Sequence, residues 1–351
     1  MKKRTVVCLA LCSAFLTGSL YAQTPADGIT EKGTQRLSME QLQKWEKLGY
    51  GIFIHFGMST FDGEELSYGT QPATVYNPTA LDVDQWIRVA RDAGMKYAIL
   101  TTKHVSGHCL WPTKYTDYHV GNSGDKTDVV QAFVDACEKY GLMPGFYYCS
   151  WDNRHLMGSR TPSIAGWDEC FTSQEYQQFQ WNQLEELLTG YGKIGEVWVD
   201  IPMVLTRDYR NRLYDQIAQW QPEAVIVMNH GVGDGAILKV QHTWPTDVIT
   251  IERFLPHSRL KYVKWRTVED RQYYIPGEVC EPISNEWFYT ENKESLPRDD
   301  HELLGMYLVA RQRGANFLLD VPPNKEGVIP EMYVQTLMRL RENLELLGKA
   351  E

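Results

Sequence analysis

Short apolar runs rich in β-branched and aromatic residues alternate with longer amphipathic stretches almost to the end of the chain, the pattern of parallel strands joined by crossover helices. Eight runs read as strands: Gly51 to Phe56, Tyr97 to Thr102, Met143 to Cys149, Glu196 to Asp200, Ala224 to Met228, Asp247 to Glu252, Gly277 to Cys280 and Asn316 to Val321. Apolar residues at i, i+3 and i+4 predict helices in the gaps, among them Asp84 to Ala93, Asp128 to Tyr140, Gln174 to Tyr191, Asp300 to Arg313 and Pro330 to Leu347. No repeat and no linker rich in Gly, Pro or Ser divides the chain. The expectation is an α/β fold, a TIM-like (β/α)8-type barrel forming a single catalytic domain over residues 23–351.

The opening residues stand outside that pattern. Lys2, Lys3 and Arg4 precede an apolar stretch from Val6 to Leu16, and the small residue Ala22 precedes Gln23. This is the layout of a secretory signal peptide over 1–22. The stretch is shorter than the ~20 residues a membrane-spanning helix needs, and nothing later is longer. An exported protein without a membrane span is expected, in the periplasm of a Gram-negative bacterium. Cys8 and Cys12 follow Val7 and Leu11 rather than a small residue, which disfavours a surface lipoprotein. Beyond the signal, Cys109, Cys137, Cys149, Cys170 and Cys280 are odd in number and widely spaced, so neither a disulfide framework nor structural zinc is expected. A net charge of −10 argues against a nucleic-acid partner. The 20 Tyr and 11 Trp suit stacking on sugar rings, although a large barrel core also absorbs aromatics.

Barrel chemistry sits at the C-terminal ends of the strands. Read along the chain, those positions hold His55, His104, Trp151 with Asp152, Asp200, Asn229 with His230, Glu252 and Glu278. Singly, each has an ordinary explanation as a helix cap or loop hydrogen bond. Together they place carboxylates, histidines and tryptophans around one mouth. Two carboxylates facing one pocket can hydrolyse a glycoside, one attacking the sugar or activating water and the other donating a proton to the leaving oxygen. Asp200 closes the apolar run Glu-Val-Trp-Val-Asp, where an uncompensated carboxylate would be costly unless it served a site. His104 and His108 have i, i+4 spacing, but Ser106 and Gly107 between them make a helical metal site doubtful.

At these positions the sequence resembles glycoside hydrolase family 29, the α-L-fucosidases. The matching segments are Gly51-Ile-Phe-Ile-His-Phe-Gly57, Ala93 to His104, Cys109-Leu-Trp-Pro-Thr-Lys-Tyr-Thr-Asp117, Glu196-Val-Trp-Val-Asp200 and Asn316 to Val321. Gly145 to Asp152, Asn182 to Gly192, and Glu278 followed by Trp287-Phe-Tyr289 look more like the branch that cleaves α-1,3 and α-1,4 fucosyl linkages. The resemblance implies a retaining exo-glycosidase needing no cofactor or metal, acting on an oligosaccharide or glycoconjugate, with Asp200 as nucleophile. It offers Glu278 as first choice of acid/base and Glu252 as the alternative. By the same matching, His55, Glu65, His104, Trp111, Tyr148, Trp151, Trp198 and His230 would bind the sugar.

Departures accompany the matches. Val105 and Ser106 interrupt the family's Lys-His-His-Asp run, Leu66 follows Glu65 where a tryptophan is usual, and His230 replaces an arginine. The expectation is a conserved mechanism with an altered glycone preference, since a lost partner for a substrate hydroxyl discriminates strongly. The alternative is a catalytically weak or inactive carbohydrate-binding protein on the same barrel. The family's frequent C-terminal β-sandwich is not expected in full.

Overall fold

The structure is a computed structural model that describes residues 35–155, 172–229, 231–258 and 263–348. The signal segment, Cys170 and His230 therefore lie outside the described residues.

Eight parallel strands form a nearly closed barrel. They are β1 (Tyr50–Ile54), β2 (Tyr97–Lys103), β3 (Met143–Cys149), β4 (Glu196–Asp200), β5 (Val225–Met228), β6 (Ile249–Glu252), β9 (Gly277–Pro282) and β10 (Asn316–Asp320), while β7 (Trp265–Val268) and β8 (Arg271–Tyr274) make a separate antiparallel hairpin. The sheet order is β5-β4-β3-β2-β1-β10-β9-β6. Between β5 and β6 the seam is drawn together by Asp247, whose amide donates to the Ile226 carbonyl and whose carboxylate accepts from the Ile226 amide, both at 2.8 Å.

The helices Val83–Asp92, Val129–Tyr140, Gln174–Gly190, Arg207–Trp220, Asp300–Gln312 and Glu331–Gly348 pack outside the barrel. Side-chain caps start several of them. Asp82, Asp128 and Ser173 each accept a backbone N–H from the first turn, which satisfies an otherwise orphaned donor. The expectation of a helix in every gap is corrected at two places among the described residues. After β5, Gly231, Gly233, Gly235 and Pro245 break any long helix, and only Val240–Thr243 is helical. After β6 the chain forms the β7–β8 hairpin, whose two turn residues Glu269 and Asp270 both have positive φ, as a two-residue turn of this hand demands.

Strands buried on both faces read as continuous apolar runs, and β1 and β2 have no exposed residue. Inside the barrel the packing is tight at Gly51: a Cβ there would meet the Tyr97 ring at 2.5 Å. That ring fills the barrel floor and donates its hydroxyl to Glu278 Oε1 at 2.6 Å.

Candidate active site

The C-terminal mouth of the barrel opens into a cleft of about 540 Å³, lined among others by His55, Glu65, His104, Tyr147, Trp198, Asp200, Asn229, Glu252 and Trp287. This is the size of an ordinary small-molecule site. Asp200 ends β4, Asn229 follows β5 and Glu252 ends β6, so three successive staves carry the polar centre. The Asn229 amide nitrogen donates to Asp200 Oδ1 at 2.6 Å and to Glu252 Oε2 at 3.0 Å. Its carbonyl accepts from the Thr250 hydroxyl at 2.7 Å and the Gly231 amide at 2.8 Å, which fixes the NH2 toward the carboxylates. One nitrogen touching both acids caps the distance between those oxygens at the two contacts laid end to end. The second oxygen of Asp200 accepts from the Tyr147 hydroxyl at 2.6 Å.

The environment separates the two carboxyls. Burial, reinforced by the nearby Asp200 charge, pushes Glu252 up to about 7 against an opposing pull from Asn229 and Arg253. The residues that follow the acids, Ile201 and Arg253, have φ of 50° and 59°. A left-handed conformation in a β-branched residue is a real strain, of the kind that gathers where a site over-determines its backbone.

Across the cleft, His55 Nδ1 lies 2.8 Å from Asp320 Oδ1. An ionised Asp320 accepts there and leaves Nε2 as an acceptor for a ligand hydroxyl. Burial lifts Asp320 to about 6, with His55 opposing. His104 is held well below its ordinary range by burial and by His55, and its Nδ1 is buried without a hydrogen-bond partner. Its ring stacks on Tyr147 with centroids 5.7 Å apart. Leu66 and Val105 both face the cleft. His108 does not: it stacks on Tyr76 and shares a 2.8 Å hydrogen bond with Ser123. No cluster of three metal-ligating side chains occurs among the described residues.

The structure brings Asp200, Glu252, His55, Glu65, His104 and Trp198 to one cleft. The preference for Glu278 over Glu252 needs correction. Glu278 pairs in register with Thr250, while Glu252 pairs with Cys280, so Glu278 sits two residues deeper, about 6.6 Å along the strand. There it is sealed beneath Trp198, accepting from the Trp198 indole at 3.0 Å and from Tyr97. Its neighbour Glu196 accepts from Trp198 and Trp45, both at 2.8 Å. Burial raises both carboxyls, Glu196 further because Glu278 lies beside it. This is a floor that holds Trp198, not a cleft wall.

Three other expected sugar contacts also point elsewhere. Tyr148 donates outward to Gln183 at 2.8 Å, Trp111 donates to Glu186 at 3.1 Å and Trp151 donates to Asn153 at 2.7 Å. On β3 it is Tyr147 that faces inward. A slip of one residue exchanges the faces of a strand, and the run Gly-Phe-Tyr-Tyr-Cys carries no polar alternation to reveal it. Tyr147, Trp287 and Asp320 also line or support the cleft without a sequence signal of their own, and Asn229 is marked in the sequence only as a strand-end position.

Fold and site together define a parallel β/α barrel with a carboxylate pair at its C-terminal mouth. Comparison with known proteins narrows the class. The sequence profile described as Alpha-L-fucosidase matches residues 59–349. Alpha-L-fucosidase 1 of Arabidopsis thaliana is 33% identical over 321 residues, covering 87% of this chain and 59% of that protein. The chain belongs to the alpha-L-fucosidase family. A solved glycoside hydrolase 29 family member from a rumen bacterium superposes with a TM-score of 0.70 at 26% identity, over 90% of this chain and 58% of the other. Alpha-L-fucosidase isoenzyme 1 from Paenibacillus thiaminolyticus shares the fold with a TM-score of 0.72 at 24% identity, over 88% and 76%. The chain spans less than two thirds of the length of the Arabidopsis relative.

Proposed function

We propose that the protein is a retaining exo-glycosidase that removes terminal α-L-fucosyl or closely related residues from glycans. In this reading Asp200 attacks the anomeric carbon and Glu252 protonates the leaving oxygen, then deprotonates the water that releases the sugar. The observation that carries it is Asn229, whose one amide nitrogen touches both carboxylates. The close approach it imposes on one oxygen of each acid is compatible with the ~5–5.5 Å carboxyl separation of retaining pairs. A carboxyl pushed to about 7 is suited to donate a proton near neutrality, and Asp200, hydrogen-bonded at both oxygens, is suited to attack. His55, His104 and Glu65 supply polar partners for sugar hydroxyls, and Trp198 with Trp287 supplies apolar walls.

The α-1,3/1,4-linkage preference is part of this reading and rests on the Glu278 to Tyr289 segment, which delivers Trp287 to the cleft. So is export, which rests on the charged, apolar and small-residue order of positions 1–22. A second reading draws support from Leu66 and Val105, two apolar side chains facing the cleft: a carbohydrate-binding protein with little turnover. The test is hydrolysis of a panel of α-L-fucosides and neighbouring glycosides by the wild type and Asp200→Ala, with and without a chelator, the anomer first formed being read by NMR. Release with retention, abolished in the variant and indifferent to chelation, is expected. Binding of the panel without any release would establish the second reading instead.

A further inference from the structure

If Glu252 protonates the leaving oxygen, the leaving group must lie beside Glu252. The groups that share that side are set by the chain around β6. Residues 231–233 run against the strand end, with Val232 bridged to Glu252 and the Gly233 amide donating to the Glu252 carbonyl at 3.1 Å. The same connection carries Lys239 to the cleft, and Glu252 is followed directly by Arg253, which also lines it.

Two cations on this wall are unusual in a chain with ten more acidic than basic residues. Arg253 is turned into place by its positive φ and lays its guanidinium over Trp287, 4.8 Å from the ring centroid, with one N–H donating to the Asn285 carbonyl at 3.0 Å. Neither Arg253 nor Lys239 is within ion-pair distance of a carboxylate among the described residues, and the Lys239 ammonium makes no side-chain hydrogen bond there. The Arg253 charge also acts on Glu252, Glu281 and Asp320 without reaching ion-pair distance, and a guanidinium stacked on an indole with one N–H anchored to a backbone carbonyl is preorganised to receive an oxyanion.

We propose that the leaving-group subsite takes an anionic substituent, a carboxylate or sulfate borne by the group to which the fucosyl residue is attached, held by Arg253 and Lys239. The proposal rests on the glycosidase reading through the position of Glu252, and the experiment separates the two. Three aryl α-L-fucosides are compared, with 4-carboxyphenyl, 4-sulfophenyl and the neutral isostere 4-carbamoylphenyl as leaving groups, together with the same three aglycones on neighbouring glycones. Wild type should prefer an acid over the amide in kcat/KM by on the order of tenfold at low salt, the size of one charge-assisted hydrogen bond. The preference should shrink as salt is added. It should fall by several-fold in Lys239→Gln and approach unity in Arg253→Gln/Lys239→Gln, and the carboxylate and sulfonate arms identify which oxyanion fits better. The ratio is read on whichever glycone is cleaved, or from calorimetric Kd values if none is. Equal handling of acids and amide by wild type, or a preference untouched in the double variant, overturns the anionic subsite. Tighter binding of the acids with no cleavage on any glycone overturns the glycosidase reading and leaves the subsite standing.

Discussion

Replacing Glu252 by Gln removes the proton donor proposed for the leaving group while keeping an oxygen that can accept from Asn229. General acid catalysis contributes roughly 10²–10⁴-fold, or ~3–5 kcal/mol of barrier, so kcat/KM for an unactivated fucoside should fall by that factor. A 2,4-dinitrophenyl fucoside, whose leaving group departs without help, should lose far less. Wild-type kcat/KM should decline as pH rises through about 7, where Glu252 gives up its proton, and this limb should vanish in Glu252→Gln. Stability should move in the same direction with pH. The folded carboxyl is raised from 4.5 to about 7, so between those values the folded chain holds a proton the unfolded chain has lost. Stability therefore falls as pH rises across that window, and the whole cost is present above it. For a group sealed from water this amounts to ~3 kcal/mol. Glu252 is open to the cleft on one side, which cuts the figure to ~1–2 kcal/mol. Glu252→Gln should accordingly melt a few degrees higher than wild type at pH 8 and equally at pH 4. Activity against pH from 4 to 9 and thermal melts at both ends provide the assay. A Glu252→Gln protein that keeps the limb near pH 7 and full activity on the unactivated fucoside would refute the assignment.

Glu278→Gln should do the reverse, lowering the melting temperature because Tyr97 and Trp198 lose part of their acceptor, while keeping the activity limb near pH 7; pH profiles of the two variants side by side decide this. Tyr147→Phe deletes a 2.6 Å donor to Asp200 and should cost roughly 10–100-fold in kcat, the worth of a hydrogen bond to a charged group, with the melting temperature nearly unchanged. Lys103→Met should destabilise by ~3 kcal/mol in chemical denaturation, because the fully buried Lys103–Asp152 pair, 2.7 Å apart, would lose its cation and leave the Asp152 carboxylate only its contacts with His155.

Eight strand positions were legible in the sequence because a barrel strand must be apolar on both faces and end where polar loop residues begin. Asp200 was legible for the same reason: an uncompensated carboxylate closing such a run on β4 would be costly unless it served a site. The helices were marked by the i, i+3 and i+4 spacing of their apolar residues. The hairpin of β7 and β8 was not, since Glu269-Asp270 is an uncommon pair for a turn with two positive φ angles.

What the tertiary structure decided was depth and facing. Glu252 and Glu278 both lie in short apolar runs, and only the register between β6 and β9 shows that one reaches the cleft and the other the floor. Tyr147 and Tyr148 are adjacent and chemically identical, and only the closure of the barrel tells which ring looks inward. A sequence fixes the order of residues along a strand. The relative stagger of neighbouring strands is set by packing across the whole barrel, by contacts such as the Tyr97 ring against Gly51, and no local pattern contains it.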